Sequence, residues 1–121
     1  MSITESVHQL IETMKAGDIL GAFETHYADD VVMQENNEAP TEGKAANRER
    51  EKQFVASVKD FKSLWIDNVA VDESAGGNDG TAFIEYGFNF INTEGQDITY
   101  QQAARQTWKN GKIVSERFYH G

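Results

Sequence analysis

A chain of 121 residues, 39% hydrophobic and 26% charged, suits one globular domain over 1–121 rather than a disordered tail. Its 20 acidic and 11 basic residues give a formal charge of −9, which repels phosphates and argues against nucleic acid or an anionic membrane as partner. The absence of cysteine excludes disulfides and thiolate sites, and no stretch approaches the ~20 apolar residues that span a bilayer.

The first residues, MSITESVHQLIETMK, carry acidic side chains early and no unbroken apolar core, unlike a secretory signal, so a cytoplasmic location is the default expectation. Ser2 and Glu5 have capping-box spacing, and Ile3, Val7, Leu10, Ile11 and Met14 fall on one helical stripe. Gly17 is placed to end this helix in a left-handed cap and Asp18 to cap the next. In that second helix Ile19, Phe23 and Tyr27 recur every four residues, and Val31 to Met33 is a short β-prone run. Residues 34–43 hold the only proline and read as a loop. Residues 44–58 read as a third helix with a polar, solvated first half, anchored by Phe54, Val55 and Val58. Strands are predicted over 61–73, Thr81 to Ile91, Ile98 to Trp108 and Ile113 to Tyr119. SAGGNDG at 74–80 is a mobile turn, without the helix and lysine of a phosphate-cradling loop. Lys109-Asn110-Gly111-Lys112 is a hairpin signal. Helices first and antiparallel strands after predict an α+β domain.

Two runs, GDILGAFETHYADDVV at 17–32 and TWKNGKIVSERFYHG at 107–121, resemble the SnoaL-like branch of the NTF2-like superfamily, relatives of ketosteroid isomerases and polyketide cyclases. The resemblance covers nearly the whole chain. It implies a cone in which three N-terminal helices pack on a curved antiparallel sheet around a pocket, and a homodimer formed through the sheet. It places Glu35 where the isomerases carry their catalytic carboxylate, and Tyr27 where an aromatic lines the pocket. The helix-one tyrosine that stabilises the enolate aligns with Leu10, and the second donor, an aspartic acid, with Ala103. Without those donors steroid isomerisation is not expected.

Strand alternation proposes further pocket residues. If Ala103 faces in, so do Gln101, Arg105 and Thr107, and the hairpin register turns Glu116, Phe118 and His120 inward. On the 81–91 strand Glu85, Gly87 and Asn89 share one face and Ile84, Tyr86, Phe88 and Phe90 the other. We assign the polar face to the pocket and the apolar face to a partner subunit; a one-residue slip or a bulge would exchange them. Arg105 and Glu116 lie on adjacent strands at similar distances from the turn, which allows an arginine that polarises a carbonyl or a structural ion pair. Glu35 is either a buried base or a solvated carboxylate at a loop edge. His120 is either a general acid or base at the pocket mouth or part of a frayed terminus. Phe54, Phe61, Trp65 and Trp108 read as core, with Phe54 also near the pocket, and Glu85 also reads as one side of a cross-strand surface pair. His8 and His26 have no partner histidine at metal-ligand spacing, so no metal site is expected, and no motif implies a cofactor.

Two functions remain open. One is an enzyme moving a proton at carbon in a small organic molecule, as an isomerase, cyclase or dehydratase does, with Glu35 as base. The other is a non-catalytic module that binds a ligand or dimerises. Either way the expected partner is a small molecule.

Overall fold

The computed structural model describes residues 2–121. Helix α1 (Ile3–Lys15) begins on the capping box foreseen, Ser2 Oγ accepting from the Glu5 amide and Glu5 Oε1 from the Ser2 amide, each at 3.1 Å. Its stripe of Ile3, Val7, Leu10 and Ile11 is buried. After Gly17, at φ +85°, the Asp18 carboxylate caps α2 (Ile19–His26) through the Gly21 amide.

Helix α2 stops one residue short of the expected Tyr27, which opens strand β1 (Tyr27–Glu35). Tyr27 already pairs with Ile113 on the last strand, and a tertiary ladder outweighs the four-residue apolar spacing. Between Tyr27 and Val32 the register shifts, so the exposed Asp29 and Asp30 sit where the chain bows out of the ladder. The loop that follows contains a two-residue strand, β2 (Thr41–Glu42), and leads to α3 (Lys44–Ser57). Four long strands complete the chain: β3 (Val58–Asp72), β4 (Gly80–Asn92), β5 (Asp97–Lys109) and β6 (Lys112–Tyr119).

Three helices therefore pack on one curved six-stranded sheet of order β2-β1-β6-β5-β4-β3. Two features correct the expected layout. β1 and β2 separate α3 from the first two helices, and β1 runs parallel to β6 in an otherwise antiparallel sheet. Parallel pairing needs a long crossover, which here is the whole chain between those strands.

Asn47 ties α3 to the sheet. It is 2% exposed, and its Nδ2 donates to the carbonyls of Thr41 at 3.0 Å and Gly43 at 2.8 Å. Trp108 lies in the core as expected, among Ile3, Val7 and Ile113. Trp65 does not: it covers Gly87 on the outer sheet face, where a Cβ at residue 87 would stand 2.3 Å from its ring. Glycine is required at 87 by that contact rather than by a turn.

Candidate functional site

One residue of bulge decides what faces inward on the last hairpin. The turn pairs Lys109 with Lys112 and Trp108 with Ile113, but Thr107 then pairs with Ser115. Val114 is the extra residue, and beyond it Gln106 faces Glu116 and Arg105 faces Arg117. On β5 alternation runs unbroken from the buried Trp108, so its inner face is Gln102, Ala104, Gln106 and Trp108, and the bulge turns Glu116 and Phe118 of β6 to that same face. On β4 it is Ala82, Ile84, Tyr86, Phe88 and Phe90.

That order corrects four expected pocket residues. Arg105, Gln101, Glu85 and Asn89 lie on the outer face, in register with or beside Phe83, which is 51% exposed. Arg105 stands opposite Arg117, so the proposed pair with Glu116 does not form. Glu85 accepts from Asn68 Nδ2 at 2.8 Å, a cross-strand surface contact, and Asn89 donates to the Ile98 carbonyl at 3.0 Å. The apolar face of β4, expected to meet another subunit, is core. The reason is the strong burial preference of four successive inward positions on β4, Ile84, Tyr86, Phe88 and Phe90, with which β5 stays in unbroken register from the buried Trp108.

The other six expected residues, Tyr27, Glu35, Phe54, Glu116, Phe118 and His120, all line one cavity of about 410 Å³ between the helices and the sheet. Aromatic rings stand on both its helix and its sheet walls; Phe54 stands edge-on to Phe88 at 5.8 Å and, behind the wall, to Phe90 at 5.6 Å.

The polar end is built around Glu116, 2% exposed. Trp108 Nε1 donates to Gln106 Oε1 at 3.1 Å, and Gln106 Nε2 donates to Glu116 Oε2 at 2.8 Å. Because an indole N–H can only donate, this chain fixes which way the Gln106 amide points. The Tyr27 hydroxyl donates to Glu116 Oε1. Burial pushes the Glu116 carboxyl up to about 7, against the two hydrogen bonds that pull it down and with the nearby Glu51 and Glu35 charges that raise it further. Burial and Glu116 likewise raise the Tyr27 hydroxyl far above its ordinary range, so it stays protonated.

At the mouth, His120 Nε2 lies 2.8 Å from Glu35 Oε2, and the His120 amide donates to Asn36 Oδ1 at 3.0 Å. The terminus is fastened rather than frayed. The hydrogen bond to Glu35 raises His120 above an ordinary imidazole. In the β1–β6 register Met33 pairs with Glu116 and Glu35 with Phe118, so the two glutamates stand on one wall, their backbones offset by about 7 Å along the strands.

Several lining residues were not foreseen. Glu51 reaches the cavity from α3, and burial, with the Glu35 charge, pushes it up to about 7 while Arg50 pulls it down. Asn47, Glu51 and Phe54 recur at helical spacing, so the inward stripe of α3 was present in its polar half. Tyr86 also lines the cavity, its hydroxyl accepting from Gln102 Nε2 at 2.7 Å. Among the described residues no group of three His, Cys, Asp or Glu is placed to hold a metal ion, and no helix is long and apolar enough to cross a membrane.

A family model described as a SnoaL-like domain matches residues 7–116. A structure from Mesorhizobium loti, provisionally named a SnoaL-like polyketide cyclase and, in brackets, a carbohydrate phosphatase, is similar at 27% identity. It covers 99% of this chain and 100% of its own, with a TM-score of 0.72. An NTF2-like protein of unknown function from Burkholderia pseudomallei shares the fold at 13% identity, 98% and 90% coverage, and a TM-score of 0.76. A provisionally named isomerase from Bacillus subtilis does so at 20% identity, 98% and 85% coverage, and a TM-score of 0.73. Among curated proteins none matches the chain significantly.

Proposed function

The chain belongs to the SnoaL-like domain family of the NTF2-like superfamily, and on that premise we propose that its cavity binds a small organic molecule and moves a proton at one of its carbons. The observation that carries this reading is Glu116: a carboxyl enclosed in an aromatic cavity, held by Tyr27 and Gln106, and brought to about 7 by burial. A group that titrates near neutrality both gives and takes protons without a large energetic cost.

Glu35 acts as base. Its Oε2 meets His120, and its Oε1 has no other hydrogen bond among the described residues. It removes a proton from a carbon next to an electron-withdrawing group. Glu116, about half protonated at neutrality and largely protonated below it, returns a proton from deeper in the cavity. His120 holds Glu35 and balances its charge. Such chemistry needs no cofactor. A phosphate monoester suits the cavity poorly, because Glu35, Glu38, Glu51 and Glu116 line it against Arg50 and His120.

The test is proton exchange. The protein is incubated in D2O with a panel of enolisable aryl ketones and β-diketones, and deuterium at the activated carbon is followed by mass spectrometry. Exchange above the buffer rate, lost in Glu35→Gln, is expected. Saturable binding with no exchange for any member would favour the non-catalytic binding module.

We also propose that the outer sheet face meets a second copy of the chain. Phe83 at 51% and Tyr119 at 41% exposure stand on it, beside Trp65. Sedimentation should give a dimer, and Phe83→Glu a monomer; a wild-type monomer at high protein concentration would refute this.

A further inference from the structure

Of the three tyrosines that line the cavity, Tyr27 and Tyr86 are buried, and their hydroxyls are in different states. Tyr27 donates its proton to Glu116. Tyr86, 6% exposed, accepts a hydrogen bond from Gln102 Nε2 at 2.7 Å, and among the described residues its own proton goes to no acceptor. A phenol whose oxygen already accepts a bond is polarised toward donating, and its free O–H turns away from the donor it has engaged. Here that direction is the cavity, since the ring is held from the sides: it stacks on Phe88 at 6.3 Å, and Tyr86 and Gln102 are direct cross-strand partners. Burial and the neighbouring Glu116 keep the hydroxyl protonated throughout the neutral range.

We propose that Tyr86 is the donor that receives the ligand's carbonyl oxygen, positioned by Gln102, and that this pair supplies the enolate stabilisation for which Leu10 and Ala103 have no polar atoms. The placement is consistent with the chain's own geometry. Ala103 pairs with Glu85 on the outer face, whereas its neighbour Gln102 faces in. When base removes the proton from the carbon next to the carbonyl, the C–H electron pair becomes a C=C bond. The carbonyl π pair moves to oxygen, where the Tyr86 O–H meets it. Reprotonation at carbon reverses both shifts and leaves Tyr86 unchanged. Gln106 lies four residues further along the inner face of β5, with Glu116 opposite it on β6 and only the small side chain of Ala104 between the two polar stations. The ligand this fits has a flat apolar body carrying a neutral carbonyl, rather than a carboxylate or phosphate.

The direction of chemistry rests on the proton-transfer reading, but the carbonyl contact can be tested without turnover. The probe is 2-acetylnaphthalene labelled with carbon-13 at the carbonyl, followed by isotope-edited infrared spectroscopy in the intact protein. Its C=O stretch should fall below the value in an apolar solvent. Tyr86→Phe, which keeps the ring and its stacking, should return it toward that value and weaken binding about fivefold. Gln102→Ala should give an intermediate position. Far-UV circular dichroism shows that each variant is folded. An unshifted band in the wild type, an unchanged band in Tyr86→Phe, or no bound probe at its solubility limit would each overturn the proposal. Deuterium exchange that survives alongside an unchanged band would sink the role of Tyr86 alone. A band that shifts as expected without exchange would sink the proton-transfer reading and leave the contact standing.

Discussion

Replacing Glu116 by glutamine should flatten the dependence of stability on pH. Burial lifts the carboxyl from 4.5 to about 7, so the folded chain holds this proton more tightly than the unfolded chain. Between those two values the native state carries more protons, and stability falls as pH rises. It is greatest below about 4.5, declines through the interval and levels off above about 7. At about 1.4 kcal/mol per pH unit the full effect is about 3 kcal/mol, and about 2–3 kcal/mol of it falls between pH 5 and 8. Glu51, raised for the same reason, adds in the same direction. The substituted side chain cannot ionise. It also has a constrained orientation: Gln106 must present its N–H2, because Trp108 occupies its oxygen. The new amide would then turn its own oxygen to Gln106 and its N–H2 to the Tyr27 oxygen, leaving the Tyr27 proton without its acceptor. That costs a pH-independent amount, about 1–3 kcal/mol. The informative quantity is therefore the slope, not the offset. Urea unfolding of both proteins at half-unit steps from pH 5 to 8 measures it. Parallel curves would refute the reasoning, because they would mean that Glu116 ionises as easily folded as unfolded.

Asn47→Ala should lower unfolding stability by about 2–3 kcal/mol, since it strips the carbonyls of Thr41 and Gly43 of a buried donor; urea melts measure it. Gly87→Ala should cost about 1–3 kcal/mol and shift the tryptophan emission, because the added methyl displaces the Trp65 ring; an unchanged melting temperature would contradict that contact. Glu35→Gln should lower the titration midpoint of His120, followed by its ring proton resonances, because the raised value depends first on that carboxylate. His26, 4% exposed and with no partner for Nε2 among the described residues, is lowered by burial and by Lys112. Its contribution is present above the ordinary imidazole value and is lost as pH falls through the folded one, so His26→Phe should retain more stability near pH 5.

The helices and the turns were legible because their signals are local. Ser2 with Glu5, Gly17 with Asp18, and Asn110-Gly111 each act within four residues. Face assignment on the strands was not local. On β6 it hung on Val114, a single extra residue with an ordinary β-branched side chain, and nothing in its type marks a bulge. That residue sets Glu116 opposite Gln106 instead of Arg105, while β5 alternates without interruption from the buried Trp108, which puts Gln102 and Gln106 inside and Arg105 and Gln101 outside. The inward turn of β4 was written in the sequence, since Ile84, Tyr86, Phe88 and Phe90 form a more apolar row than Glu85 and Asn89 can offset. On α3 the charged run KAANREREK masked the buried Asn47 and the inward Glu51, because composition averaged over a helix hides a stripe one residue wide. The pairing of Glu35 with His120 joins residues 85 apart and depends on β1 lying parallel beside β6, which no local pattern reveals.

Carbon-13 NMR titration of the Glu116 side-chain carboxyl tests the central claim most directly, with Glu116→Gln used to assign the resonance. The account predicts a midpoint near 7, displaced upward by enclosure in the cavity. A midpoint at the ordinary glutamate value of about 4.3 would contradict it, since a carboxyl already ionised at neutral pH would have no proton to return to a substrate carbon.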